Sequence, residues 1–250
     1  MTEHVVITGA SAGIGAATAR LLVKKGYYVT LIARRIEKLQ TLEKELSGHV
    51  SIITLDITEK EALQNSFERI EQNRPIDVLI NNAGAAFGID KAQDANLADL
   101  ERCIDLNIKG LLYCTQCVLP SMVKRKHGHI INLGSIAGTY AYPGGNVYGA
   151  TKAFVHQFSM NLRADLLGTS VRVSCIEPGL TGETEFSEVR FKGDLQKVNK
   201  LYDKANPLTA KDIAETIFFC MNAPAHMNIN RIELMPVSQA FGALSVHRDD

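Results

Sequence analysis

The chain has 250 residues, 46% hydrophobic and 22% charged, the proportions of an ordinary globular protein long enough to bury a substantial core. Lysine plus arginine equals aspartate plus glutamate at 27 each, with no block of like charge, so a nucleic-acid or acidic-membrane partner, which would need a basic excess, is disfavoured. Five cysteines, an odd number, on a chain that opens without a charged-then-apolar leader point to reduced thiols and a cytoplasmic protein.

Val5, Val6 and Ile7 form a short apolar strand, followed by the turn Thr8-Gly9-Ala10-Ser11-Ala12-Gly13-Ile14-Gly15 and a helix through Ala16, Ala19, Leu22 and Val23. Strand, glycine-rich turn and helix in this order let the backbone lie against a pyrophosphate. The free N–H groups and positive dipole end of the helix N-terminus face it. A second strand over residues 27–33 ends in Arg34-Arg35. A dinucleotide fold that prefers NAD places an acid near this point, about 20 residues past the glycines, to hold the ribose 2′-hydroxyl. No acid stands here before Glu37. Two guanidinium groups in its place could grip a 2′-phosphate, which selects NADP over NAD; alternatively they begin the solvated helix of residues 36–46, a reading that suits Arg35 better than Arg34.

Residues 50–55 make a third strand closed by Asp56-Ile57, and a polar helix follows over 59–72. Val78-Leu79-Ile80 is a fourth strand running into Asn81-Asn82-Ala83-Gly84, where small residues let the backbone approach an adenosine and the asparagines can tie adjacent strands. Next come a helix over 97–106 with Asn107 at its end and a second, separate helix over 108–126. The second is apolar on more than one face, more than a single sheet contact needs, which suggests a subunit interface. Cys114 and Cys117 lie inside it, with no second pair to complete a zinc site, and read as helix packing. His127 and His129 lack a third ligand, and no metal site is expected.

Residues 129–133 form a fifth strand that delivers Gly134-Ser135 at its carboxyl end, the end that faces the ligand crevice in an open parallel sheet. Thirteen residues on, Tyr148 and Lys152 stand four apart in a helical run through Phe154, Phe158 and Leu162, which puts both on one face about 6 Å apart at Cβ. An ammonium that close to a phenolate contributes about 3 kcal/mol, so Lys152 is expected to lower the Tyr148 pKa by roughly two units, into the range of a general acid or base. Ser135 would then donate a hydrogen bond to a substrate oxygen. Strand six, 171–176, ends in Glu177-Pro178-Gly179. Residues 180–207 are polar and hydrophobically irregular, the mark of a substrate lid. A helix over 210–222, a strand over 231–235 and a tail over 236–250 complete a single domain. Strand and helix alternate throughout, which predicts one Rossmann-type α/β domain: a seven-stranded parallel sheet with helices on both faces.

Taken together, the glycine turn of residues 8–15, Asn81-Asn82-Ala83-Gly84, Asn107, Ser135, Tyr148-x-x-x-Lys152 and Pro178-Gly179 resemble the short-chain dehydrogenase/reductase family, in order and over essentially the whole chain. The resemblance implies hydride exchange with NADP(H). Tyr148 would be the acid/base, Lys152 the group that holds the nicotinamide ribose and tunes Tyr148, Ser135 the residue that polarises the carbonyl, and Asn107 the anchor of a water in a proton relay to Lys152. The implied cofactor site takes in Gly9, Ala10, Ser11, Ala12, Gly13, Ile14, Gly15, Arg34, Arg35, Asp56, Ile57, Asn82, Ala83, Gly84, Tyr148, Lys152, Pro178, Gly179 and Thr181. Within the family, residues 179–194 and the tail segments 233–239 and 243–248 resemble the bacterial NADP-dependent 3-hydroxy acid dehydrogenases, typically tetrameric enzymes that act on serine, allo-threonine and similar acids and reduce malonic semialdehyde. A carboxylate substrate needs a cation, and Arg190 or Lys192 on the lid is expected to supply it beside Ser135 and Tyr148. Two alternatives remain open at this point: the same chemistry on uncharged ketones, sugars or acyl-thioesters, and a non-catalytic NADP-sensing protein that keeps the fold.

Overall fold

The computed structural model describes residues 2–242, so the tail segment 243–248 that carries part of the subgroup resemblance lies outside the described residues. Seven strands, β1 (His4–Thr8), β2 (Tyr28–Ala33), β3 (Val50–Thr54), β4 (Val78–Asn81), β5 (Gly128–Leu133), β6 (Val171–Pro178) and β7 (Arg231–Leu234), form one sheet in the order β3-β2-β1-β4-β5-β6-β7. Every pairing is parallel, as the alternation predicts. Strands β1, β4 and β5 are buried along their whole length, which is why they read as continuous apolar runs instead of alternating ones.

The helices are α1 (Gly13–Lys24), α2 (Ile36–Leu46), α3 (Lys60–Asn73), α4 (Leu97–Ile104), α5 (Leu111–Arg125), α6 (Asn146–Asp165), α7 (Phe186–Arg190), α8 (Leu195–Tyr202) and α9 (Ala210–Met221). Two large apolar cores result, beside a small third cluster of Leu111, Val155 and Cys175. Leu22, Leu31, Ile80, Ile213 and Ile217 belong to the first; Val6, Phe67, Leu79, Val118, Met122 and Ile130 belong to the second. Thr209 starts α9 with a reciprocal cap: its hydroxyl accepts from the Asp212 N–H while the Asp212 carboxylate accepts from the Thr209 N–H, satisfying two donors that a helix end leaves free.

Two local outcomes differ from the sequence reading. The separate helices expected over 97–106 and 108–126 are one rod, joined through a π-helical segment, Asp105–Gly110, that holds Asn107 inside it. A π turn absorbs one extra residue without breaking the rod, and such turns gather at functional sites. The irregular lid region contains two short helices, α7 and α8. Between β1 and β4 the strand order reverses, and a crevice opens there at the carboxyl ends of the strands, the position where open α/β sheets take their ligands.

Candidate active site

A cleft of about 730 Å³ follows that crevice from the glycine turn to the lid. At its floor the backbone sets the shape. Gly9 has φ +64°, a left-handed conformation that glycine adopts without strain. A Cβ on Gly15 would fall 2.6 Å from the Gly9 carbonyl oxygen, so only glycine lets α1 begin this close to β1. Asn82 locks the turn from the next strand: its Nδ2 donates to the carbonyls of Thr8 and Gly9 at 2.9 and 3.1 Å, while Thr8 Oγ1 accepts from the Asn82 and Ala83 amides. Ser11, Ala12, Gly13, Ile14, Ala83 and Gly84 line the cleft beside Gly9. Ala10 and Gly15 are buried behind them as packing.

Arg34 and Arg35 reach the edge of this floor and are both exposed. Arg34 makes a long 3.5 Å contact with Asp56, whereas Arg35 donates to Ser11 Oγ at 2.9 Å and to the lid residue Glu185 at 2.7 Å. Lys38 also pairs with Glu185, and these partners hold the Glu185 carboxyl below its usual range, with the Arg35 hydrogen bond the leading cause. Asp56 lies below its usual range as well; burial works against this, but the Thr58 amide and hydroxyl and Arg34 outweigh it. Ile57, Pro178, Gly179 and Thr181 complete the wall. The Gly179 amide bonds to the Leu234 carbonyl at 2.8 Å, and Thr181 Oγ1 donates to the Gly179 carbonyl at 3.1 Å.

Ser135, Tyr148 and Lys152 converge at the other end. Ser135 follows β5, and its Oγ accepts from the Ala137 amide at 3.1 Å, fixing the hydroxyl at the mouth of a 3-10 turn, Ile136–Gly138. Lys152 is buried, donates from Nζ to the Leu133 carbonyl at 2.7 Å and lies 5.9 Å from the Tyr148 ring centroid. Asn107 reaches the same place from the π-helical segment: its Nδ2 donates to the Ala85 carbonyl at 2.9 Å and to Thr151 Oγ1 at 3.0 Å, and its Oδ1 accepts from the Ala85 amide at 3.0 Å. Gly84 stands between Asn107 Oδ1 and Lys152 Nζ.

The expected electrostatics of the pair need correction. The surrounding protein pushes the Tyr148 phenol above its ordinary range, with Ser135 and Arg190 pulling against that rise. Burial lowers Lys152 to about 8. The attraction between a cation and a phenolate is real, but desolvation penalises both charged forms and is the larger effect in this cleft. The phenol is therefore the resting form.

The lid brings Arg190 to this end and keeps Lys192 away. Lys192 pairs with Asp99 at 2.7 Å on the outer surface. Arg190, the last residue of α7, donates to the Tyr142 hydroxyl at 2.9 Å, and its guanidinium carbon lies 5.2 and 5.9 Å from the Tyr142 and Tyr148 ring centroids. Its buried Nε has no hydrogen-bond partner among the described residues. Phe186, at the start of the same helix, packs on Tyr148 with ring centroids 5.4 Å apart. Phe186 and the Thr8 bridge escaped sequence reasoning, since neither carries a local signal of its role.

A profile of the short chain dehydrogenase family matches residues 3–194. The chain belongs to this family. It is 53% identical over 245 residues to the NADP-dependent 3-hydroxy acid dehydrogenase YdfG of Salmonella typhi, covering 98% of this chain and 99% of that protein. Identity to the protein of the same name from Escherichia coli K12 is 50% over 245 residues, with the same coverage. A solved structure described as the closed form of serine dehydrogenase complexed with NADP+ superimposes with a TM-score of 0.96 at 50% identity, covering 98% of this chain and all of the other. In this family member the glycine floor, the arginine edge and the Ser135–Tyr148–Lys152 end thus share one continuous cleft.

Proposed function

We propose that the protein is an NADP(H)-dependent dehydrogenase that interconverts a small 3-hydroxy acid, of the serine, allo-threonine or 3-hydroxypropionate kind, with its 3-oxo acid or semialdehyde. The turn at Gly9 and Gly15 lets α1 begin close against β1, since a Cβ at either would strike the Ala83 backbone or the Gly9 carbonyl, and a helix N-terminus so placed suits a pyrophosphate; Arg34, Arg35 and Ser11 present donors suited to a 2′-phosphate. When bound, NADP(H) exchanges hydride with the substrate carbon. In reduction Tyr148 donates its phenolic proton to the carbonyl oxygen, a role that fits a phenol whose resting form is neutral. In oxidation the phenol first gives up its proton to solvent, helped by the positive charges of Lys152 and Arg190, and the resulting phenolate takes the hydroxyl proton. Ser135 holds the substrate oxygen, and Asn107 keeps the Ala85 loop and Thr151 in place around Lys152, the position a relay water would need.

One observation carries the choice of an acid substrate: Arg190 lies against the Tyr148 ring with a buried Nε lacking a partner and forms no ion pair among the described residues. A substrate carboxylate there would complete it with a charge-assisted hydrogen bond of about 1.5–3 kcal/mol. Uncharged ketones and acyl-thioesters would leave that cation unanswered. Following NADPH absorbance with serine, allo-threonine and 3-hydroxypropionate beside 3-hydroxypropionamide and a simple secondary alcohol tests the reading; the acids are expected to be turned over at least about tenfold more efficiently, and equal efficiencies would contradict it.

We also propose a homotetramer in the cytoplasm. Val123 on α5 remains 37% exposed beside half-buried Leu119, an apolar strip suited to a second copy. All five cysteines are free, and no helix among the described residues is long and apolar enough to cross a membrane. Light scattering of the purified chain checks the assembly.

A further inference from the structure

Beneath the Ser135 loop lies a carboxylate sealed from solvent. Glu177, near the end of β6, has no accessible surface, and a carboxylate so placed needs donors and cations around it. Both are present. Arg231 on β7 donates from Nε at 2.9 Å and also approaches through NH2 at 2.7 Å. His156, one turn beyond Lys152 on α6, meets it through Nδ1 at 2.6 Å, and Cys175 Sγ lies 3.5 Å away.

The network runs on toward the cleft. Arg231 NH2 donates to Thr139 Oγ1 at 2.9 Å and to Glu233 at 2.5 Å, and Glu233 accepts from the Tyr140 hydroxyl at 2.9 Å. Thr139 and Tyr140 end the loop that begins at Ser135, and Tyr140 lines the cleft. At the start of that loop, a Cβ on Gly134 would fall 2.7 Å from Glu177 Cγ, so the glutamate side chain lies directly against the backbone that leads into Ser135. One residue earlier, the Leu133 carbonyl accepts from Lys152 Nζ. The anion and the ammonium therefore flank the same three residues of chain.

We propose that Glu177 is a positioning residue of this active site: its sealed carboxylate is the countercharge for the Lys152 ammonium and, through Arg231, the anchor of the loop that presents Ser135 and Tyr140. The proposal rests on the reading of Ser135, Tyr148 and Lys152 as the catalytic group. Around Lys152 stand Tyr148 on α6, Cys103 on α4, Cys175 and Glu177 on β6, and Arg190 on α7 across the Tyr148 ring; Arg231 and His156 lie behind Glu177. Burial pushes both thiols up, Cys175 to about 12, and raises Tyr148 as well. Among these groups Glu177 is the only carboxylate, set against a lysine that burial lowers.

Glu177→Gln keeps the size of the side chain and an acceptor for Arg231 while deleting the charge. It is expected to move the alkaline limb of the kcat/KM profile to lower pH by on the order of one unit, because loss of a neighbouring anion makes the ammonium give up its proton earlier. The ε-carbon resonance of Lys152 in 13C-lysine-labelled protein, titrated without substrate or cofactor, is expected to move by the same interval. Arg231→Gln keeps the anion and removes a nearby cation, so its limb and resonance should move to higher pH. A purely structural brace would lower Tm in both variants and leave limb and resonance at their wild-type pH, which would overturn the proposal, as would movement of both variants in one direction. Should Glu177→Gln fail to fold, Arg231→Gln decides alone: an upward displacement supports the countercharge and none overturns it. Because the resonance needs no turnover, the proposal survives if the protein proves inactive on every 3-hydroxy acid, and the functional reading survives if the resonance does not move.

Discussion

The two ends of the cleft achieve recognition by different physics. At the glycine floor the backbone does the work: Gly9 and Gly15 are there for what they lack, and Asn82 and Thr8 fasten the turn across two strands. At the lid end, five side chains from four separate parts of the chain, Asn107, Ser135, Tyr148 with Lys152, and Arg190, come together, and charge and burial set their properties. The glycine turn depends on the absence of side-chain volume and the lid end on the protonation of its groups, so substitutions at the two ends should fail in different ways.

The largest effect is expected at Tyr148. Tyr148→Phe removes the proton donor and almost no volume, so turnover should fall by about 10²–10⁴-fold while NADP(H) affinity and Tm stay near wild type; a variant that kept even a third of its activity would break the division between the ends. Next is Gly15→Val, which adds volume without charge. Its Cβ would sit 2.6 Å from the Gly9 carbonyl oxygen, and overpacking of this kind costs about 1–3 kcal/mol, so Tm and cofactor affinity should drop together. Retained affinity by calorimetry would show that the floor yields more than its geometry implies. The smallest effect is expected at Arg34, whose contact with Asp56 is long and exposed. Arg34→Ala should reduce the preference for NADP+ over NAD+ by about tenfold through loss of one charge-assisted bond, with Tm unchanged; an unaltered ratio would leave the phosphate to Arg35 and Ser11.

This contrast also explains what could be read from the amino-acid sequence. The floor is local: strand, glycine turn and helix are contiguous, so their role is visible in the order of residues 5–23. Tyr148 and Lys152 share one helix face for the same reason. Arg190 and Lys192 could not be separated that way, because the choice depends on where α7 stops. Arg190 is its last residue, and Lys192, two residues later at φ +53°, turns outward to Asp99. The π-helical segment shifts the helical phase by a residue and imitates a break at Asn107. Glu177 sits in an unremarkable strand ending, and its main partner, Arg231, is 54 residues away, beyond any local pattern. The Tyr148 phenol rises, against the sequence expectation, because the cost of removing phenolate and ammonium from water is not legible in a four-residue spacing and outweighs their Coulomb attraction.

The central claim is that a cation on the lid selects substrates that carry a carboxylate, and Arg190→Gln tests it most directly. The measurement is kcat/KM for 3-hydroxypropionate and for 3-hydroxypropionamide in the wild type and the variant. The variant is expected to lose about tenfold to a hundredfold on the acid, the equivalent of about 1.5–3 kcal/mol, and to treat the amide as the wild type does. An equal loss on both compounds, or no loss on either, would contradict the account.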